Sequence, residues 1–360
     1  MPLRMDGGGT RHFVESLLLE LTGPRFANRY LFLFFCIPEM RAHLDAVFRN
    51  ASNVAVVSAR GPADIEDSRQ CFDLYFSPLN SLSPVLPDCP SVACLMDIQE
   101  KYLPEFFSPG DLEARRVCYG SLVREATITC TISQFCRQTF LDKMGADPEK
   151  VKTVRLYPQK RLLDCESLDP PGCPSEFILY PANWYAHKNV RNLLHGYLSA
   201  KRMSPDLPPL VLVGHTMGSE DWLRELTASD ALAENIHIYT EITPEKLRFL
   251  YERCRFVVLP TRFEGYCMPL AEAIIFNCPV LANDLPVMRE IGGDWPIYAR
   301  MNDADEIAPM LVEMHRTGST RSARPLPPAL TGWGWSEIAS EYEAIFHEAL
   351  IKHRIESLRV

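Results

Sequence analysis

The run Phe256-Val257-Val258-Leu259-Pro260 leads into Thr261-Arg262-Phe263-Glu264-Gly265-Tyr266-Cys267-Met268-Pro269-Leu270-Ala271-Glu272 and, a few residues later, into Cys278-Pro279-Val280-Leu281-Ala282-Asn283-Asp284. Phe256–Pro260 is short, wholly apolar and ends on a proline, which reads as a buried strand. Pro269 suits the first turn of a helix, where its missing N–H costs nothing. Val280–Asn283 is a second buried strand. A helix between two short apolar strands is the pattern of a parallel sheet covered on both faces. The same alternation extends outward, with strand-like runs at 177–182, 210–214, 236–239 and 296–299. The amphipathic segment Glu245–Cys254 places Leu247, Leu250 and Tyr251 on one face.

The first half repeats this logic less regularly. Strands are expected at 30–37, 54–59, 73–77, 92–97, 126–133 and 152–156, and helices at 11–21, 41–48, 110–124 and 134–144. Three hundred and sixty residues exceed one ordinary core. We therefore expect two α/β domains in tandem, 1–158 and 177–334. A linker at 159–176 with the turn Pro170-Pro171-Gly172 separates them, and a closing helix at 335–360 packs back on the first domain. Hydrophobic residues at 47% and charged residues at 23% describe a globular chain. A net charge of −9 argues against a general nucleic-acid binder. The longest apolar run, 31–37, is far short of a membrane helix, and a glycine cluster stands where a signal peptide would. Twelve cysteines with no C-x-x-C pair imply a reducing cytoplasm and no zinc site.

Several residues are suited to chemistry. The amides of Gly265, Tyr266, Cys267 and Met268 open a helix, where partial positive charge holds an anion such as phosphate. Glu264 and Glu272 bracket that site and accept hydrogen bonds from hydroxyls, which suits a sugar on one side and a ribose on the other. Read from the residues alone, the alternative stays open that Glu264 is solvated and Glu272 only complements the helix dipole. Lys188, in Tyr180-Pro181-Ala182-Asn183-Trp184-Tyr185-Ala186-His187-Lys188-Asn189, sits where a strand-to-helix loop can neutralise phosphate. Asp97 opens Asp97-Ile98-Gln99-Glu100-Lys101-Tyr102-Leu103-Pro104-Glu105-Phe106-Phe107-Ser108-Pro109 after a strand, and ordering its own loop is its ordinary role. Gly7-Gly8-Gly9 before the first helix is either a phosphate-approach loop or a plain tail. Asp303-Ala304-Asp305 reads as a helix cap rather than a metal motif.

The Glu264 to Glu272 spacing, its flanking strands and the HKN string at 187–189 resemble the Glu-x7-Glu retaining glycosyltransferases of family 4. The resemblance implies a GT-B fold: two Rossmann-like parallel-sheet domains facing each other across a cleft. By it, Glu264 contacts hydroxyls of the transferred sugar, Glu272 the nucleotide ribose, and the amides of 265–268 the sugar and diphosphate. Lys188 meets the diphosphate. Many relatives place an arginine near Ala182-Asn183, so Asn183 takes that donor-side position here and Arg262 is the candidate second cation. Ile242, in Tyr239-Thr240-Glu241-Ile242, falls in the turn that contacts the base, and Gly8 and Gly9 fall in the loop facing donor and acceptor. Residues 97–109 resemble the family's PEFFSP stretch, with Asp97 carried over as catalytic beside Glu264 and Lys188. Met96, Thr240 and Cys267 depart from the family histidine and glycines.

The implied reaction transfers a hexose, with mannose from GDP-mannose leading, to a glycan or lipid-linked acceptor. It uses no metal and no cofactor beyond the nucleotide-sugar substrate. A UDP-sugar donor and a catalytically impaired binding module are the alternatives. No nucleic-acid partner is expected. Peripheral membrane contact is the family's option for Arg115, Arg116 and Arg124, against a solvated face as the ordinary reading.

Overall fold

A computed structural model describes residues 8–317, 321 and 324–358. The strands are β1 (Phe32–Cys36), β2 (Val54–Ser58), β3 (Tyr75–Ser77), β4 (Ser91–Leu95), β5 (Ile128–Thr131), β6 (Val151–Thr153), β7 (Ile178–Pro181), β8 (Leu210–Val213), β9 (Ile236–Tyr239), β10 (Phe256–Leu259), β11 (Val280–Asn283) and β12 (Ile297–Ala299). Every strand pairing among them is parallel. The chain divides into two compact units, one running to Tyr157 and resuming at Trp333, the other spanning Pro158–Gly332. Residues 159–176, read above as a linker, lie in the second unit and contain a short helix, Lys160–Asp164. Arg248 holds that helix by donating to the carbonyls of Leu163 and Cys165.

In the first unit the strands form two sheets rather than one: β1-β2, and β3-β4-β5-β6. A cavity of about 830 Å³ separates the edges of β1 and β3, lined by Phe32, Phe34, Phe35, Phe72 and Phe76. The first helix is Gly8–Leu21, so Gly8 and Gly9 are helical residues and not loop, while Asp6 and Gly7 lie outside the described residues. Ser108, the serine of the PEFFSP-like stretch, caps the helix Pro109–Glu125: its hydroxyl accepts from Asp111 N, and the Asp111 side chain reaches back to Ser108 N. The final helix, Trp335–Ser357, belongs to this unit. Its Tyr342 is fully buried, with the hydroxyl 3.1 Å from Cys94 Sγ on β4.

The three arginines considered as a basic patch each meet a carboxylate. Arg115 lies 3.6 Å from Glu100, Arg116 2.6 Å from Glu113 and Arg124 3.7 Å from Glu125. Among the described residues no helix is long and apolar enough to cross a membrane.

In the second unit all six strands join one sheet, ordered β12-β11-β10-β7-β8-β9. Chain order runs outward from β7 to β9, then returns to the centre and runs outward the other way from β10 to β12. Every residue of β7, β8, β10 and β11 is buried, as a sheet covered on both faces requires. The helices Val190–Met203 and Ala304–Arg316 cover one face, with Leu193, Leu194, Tyr197, Ile307 and Leu311 fully inaccessible. Asp303 caps the second of these helices, accepting from Glu306 N at 3.0 Å. The helices approach most closely at Gly196, where an added Cβ would lie 2.9 Å from the Ile307 side chain and 3.0 Å from the Ala304 carbonyl oxygen. Replacing Gly196 with Ala should therefore destabilise the protein by about 1–3 kcal/mol, despite alanine's better helix propensity. A lowered denaturant midpoint in urea titration checks this.

Candidate functional site

The order reversal places β7 and β10 side by side at the middle of the second sheet, so the loops leaving their C-terminal ends are neighbours. In open α/β sheets that crevice is where ligands bind. The β7 loop carries Asn183 to Asn189 and the β10 loop carries Pro260 to Cys267. Backbone and side-chain bonds fasten one to the other. Arg262 N donates to His187 O at 2.7 Å, and the Thr261 hydroxyl lies 3.2 Å from the same carbonyl oxygen. Asn189, buried and in the left-handed region at φ 63°, donates through Nδ2 to Pro260 O, Met301 O and Asn302 O. Asn283, at the end of β11, donates to Thr261 O at 2.9 Å and accepts from Met301 N at 3.0 Å.

On this frame Lys188 Nζ donates to Glu264 Oε1 at 2.5 Å, with both side chains largely buried. Removing either partner would leave the other charge stranded away from water, which is why the pair forms in this pocket. Just beyond, the helix Met268–Ile275 begins. Pro269 has no N–H and Leu270 N donates to the Cys267 carbonyl at 3.1 Å, so the first-turn amide with no acceptor inside the helix is that of Met268, at the positive end of the helix dipole. Cys267, at the N-cap, adopts φ 72° and ψ 74° and is buried. The backbone thus turns left-handed at a residue other than glycine, at a cost of about 1–2 kcal/mol for a residue with a Cβ. Burial pushes the Cys267 thiol far above its usual range, and the Glu264 charge adds to this, so it stays a neutral thiol.

Glu272 lies in the second turn of that helix, one turn later than a place flanking the anion site would require. It is buried, and its Oε2 accepts from the Tyr251 hydroxyl at 2.7 Å. Burial raises its pKa from 4.5 to about 7, and the Tyr251 hydrogen bond opposes that rise. Tyr180, beneath Glu264, is also held neutral, first by burial and then by the Glu264 charge.

The other expected site residues fall as follows. Asn183 is committed to structure: its Oδ1 accepts from His215 N, joining the β7 and β8 loops. Gly214 makes that approach possible, since at φ +123° an added Cβ would lie 2.6 Å from Ala182 O. Arg262 is exposed on the β10 loop, and Ile242 is half-buried in the loop after β9. Gly8, Gly9 and Asp97 belong to the first unit. Asp97 Oδ1 accepts from Gln99 N at 3.3 Å in the loop after β4. Met96 is buried there, its N–H bonded to Asn80 Oδ1 at 2.6 Å. Tyr251, Asn189, Thr261 and Asn283 were not singled out from sequence. Three of them lie within strings quoted above, and Tyr251 was read there only as part of an apolar helix face.

The arrangement in the second unit offers a cation, a helix N-terminus and two carboxylates that accept from hydroxyls. Residues 173–311 match the family model described as glycosyl transferases group 1. The chain is 23% identical over 245 residues to the O-antigen chain mannosyltransferase B of Escherichia coli, covering 64% of this chain and 62% of that protein. It is 23% identical over 214 residues to the O-antigen chain mannosyltransferase RfbU of Salmonella typhimurium, covering 58% and 56%. The chain thus spans about six-tenths of the length of these curated relatives. Among solved structures, Anabaena Alr3699/HepE in complex with UDP and glucose is similar with a TM-score of 0.69 at 17% identity, covering 94% of this chain and 95% of that one. The fold is accordingly GT-B, with two Rossmann-like parallel-sheet domains.

Glu272 gives a test in stability. Because its folded pKa lies above the unfolded 4.5, the native state keeps a proton that the unfolded chain releases. The stabilisation this gives is full below about pH 4.5 and is lost as pH rises through about 7, amounting to about 3 kcal/mol. Glu272→Gln removes that slope while keeping a hydrogen-bond acceptor for Tyr251. Urea unfolding at pH 4 and pH 8 should show the variant gaining on the wild type by about that amount at the higher pH.

Proposed function

Since residues 173–311 carry a glycosyl transferases group 1 domain, we propose that this chain transfers a hexose from a nucleotide sugar to a glycan or lipid-linked acceptor. The observation that carries the reading is the Lys188–Glu264 pair beside the N-terminus of Met268–Ile275, where the strand order reverses. The donor diphosphate takes the charge of Lys188 and the helix amides, with Arg262 near enough in sequence to add a second cation. Together they stabilise the departing nucleoside diphosphate as preorganised electrostatics, without a metal. Glu264, relieved of part of its bond to Lys188, accepts hydroxyls of the transferred sugar. Glu272 accepts the ribose hydroxyls.

Configuration at the sugar is retained in this reading, with the leaving phosphate taking the acceptor's proton on the same face, so no dedicated protein base is needed. Asp97 is assigned to the acceptor side, and the compartment is a reducing cytoplasm. The sugar is mannose, from GDP-mannose, in keeping with the two O-antigen relatives named above. Because the similar Anabaena structure holds UDP, the test must offer both bases.

Purified protein incubated with GDP-mannose, GDP-fucose, UDP-glucose and UDP-N-acetylglucosamine should consume GDP-mannose fastest. Glu264→Gln and Lys188→Ala should each lower that turnover by at least about a hundredfold. Consumption of UDP-sugars alone would remove the mannose assignment, and full activity in both variants would remove the site.

A further inference from the structure

Tyr251 reaches the candidate site only through another residue. It sits in the helix Pro244–Arg253, fully buried, with its ring stacked on Phe276 at a centroid distance of 5.5 Å and an interplanar angle of 13°. Its carbonyl oxygen accepts from Cys278 Sγ at 2.9 Å and from the Arg321 guanidinium. Cys278 is itself fixed, since its own carbonyl accepts from Trp295 Nε1 at 2.8 Å. Ring and backbone are therefore both immobilised. The one polar atom of the side chain points at Glu272, and its hydroxyl donates to Oε2.

A glutamate has three side-chain torsions, and a helix fixes none of those beyond the first with any force. A carboxylate meant to accept two neighbouring hydroxyls needs one defined plane. The 2.7 Å bond supplies it by occupying Oε2. Oε1 accepts no hydrogen bond from the described residues, which leaves it the uncommitted acceptor of a carboxylate that is 5% exposed. A hydrogen bond to the carboxylate also favours its charged form, which is the better acceptor.

We propose that Tyr251 is a positioning residue: it orients the Glu272 carboxylate so that Oε1 recognises the vicinal diol of the donor's ribose. This rests on the donor site proposed above and adds the element that gives it selectivity for ribose over a sugar without those hydroxyls.

The test uses the full chain and measures binding of GDP, UDP and their 2′,3′-dideoxy analogues by calorimetry, for wild type, Tyr251→Phe, Glu272→Gln and the double variant. Wild type should favour the ribonucleotides. Tyr251→Phe should cut that preference about tenfold while leaving affinity for the dideoxy forms within about twofold, since diphosphate contacts are untouched. In the Glu272→Gln background, Tyr251→Phe should have no further effect on the preference. A wild-type preference that survives Tyr251→Phe intact overturns the inference and leaves the donor site standing. Absence of any nucleotide binding by wild type overturns both. Should Tyr251→Phe not fold, Phe276→Leu, which removes the stacked ring, should lower the same preference in part; an unchanged preference there overturns the inference as well.

Discussion

The adjacency of β7 and β10 is the constraint on which the second unit depends. Parallel strands cannot be joined by tight turns, so each needs a crossover, and the crossovers cover both faces of the sheet only if the strand order reverses once. The reversal leaves two loops emerging side by side with no helix between them. Lys188 and Glu264 are 76 residues apart in sequence and 2.5 Å apart in space for that reason. Neither residue has any local reason to find the other. The sheet brings them together, and burial then makes the pair obligatory, because an isolated charge at either position would be far less stable.

Loops that hold a ligand must be rigid without regular hydrogen bonding, and here three asparagine- and threonine-centred clips do that work. Asn189 alone ties the carbonyls of Pro260, Met301 and Asn302. It does so from a left-handed backbone conformation, which asparagine tolerates better than most residues. Cys267 has no such excuse. Its φ of 72° falls at the turn into Met268–Ile275, with Pro269 fixing the backbone two residues on. A small, neutral side chain is what such a position accepts short of glycine, and the buried thiol meets both requirements. The strain sits beside the helix N-terminus, where the neighbouring contacts are dense enough to sustain it.

The second unit was legible because its strands are almost entirely apolar and its loops carry punctuation. Val257, Val258, Leu281 and Ala282 leave no choice but a buried strand, and Pro260 and Pro279 bound the segments. The Lys188, Glu264 and Glu272 candidates came from loop chemistry and from family resemblance, and the contact between the first two needed the sheet order that only the structure supplies. Tyr251 was the instructive miss. Its spacing from Leu247 and Leu250 marks an apolar face, and nothing local distinguishes a tyrosine packed for its ring from one packed for its hydroxyl. Asn183 shows the opposite: it stands in a motif, and the structure adds that its carboxamide oxygen accepts from His215 N to join two loops. In the first unit, β1 and β2 alternate less cleanly and every residue of β1 is only half-buried, so pattern alone could not say that they would form a separate sheet.

Charge was the least informative global property and is the most informative local one. The chain carries −9 overall, and the candidate site has Glu264 beside its helix N-terminus with Glu272 one turn further along the helix. Counted formally, those charges would repel an anion. Each carboxylate is however discharged by a different route. Glu264 is matched by Lys188, and Glu272, with a pKa of about 7, is close to half protonated at neutral pH. What remains unbalanced is the partial positive charge of the helix beginning at Met268. The local field therefore favours an anion even though the surrounding domain does not. In the proposed donor site, an anion bound by Lys188 would compete with Glu264 for the same lysine and free a carboxylate beside it. A ligand bearing both phosphate and hydroxyls satisfies each group it displaces, and one bearing phosphate alone leaves Glu264 buried and unpaired. In the donor site proposed above, the ion pair would thus favour a phosphorylated sugar over simple phosphate.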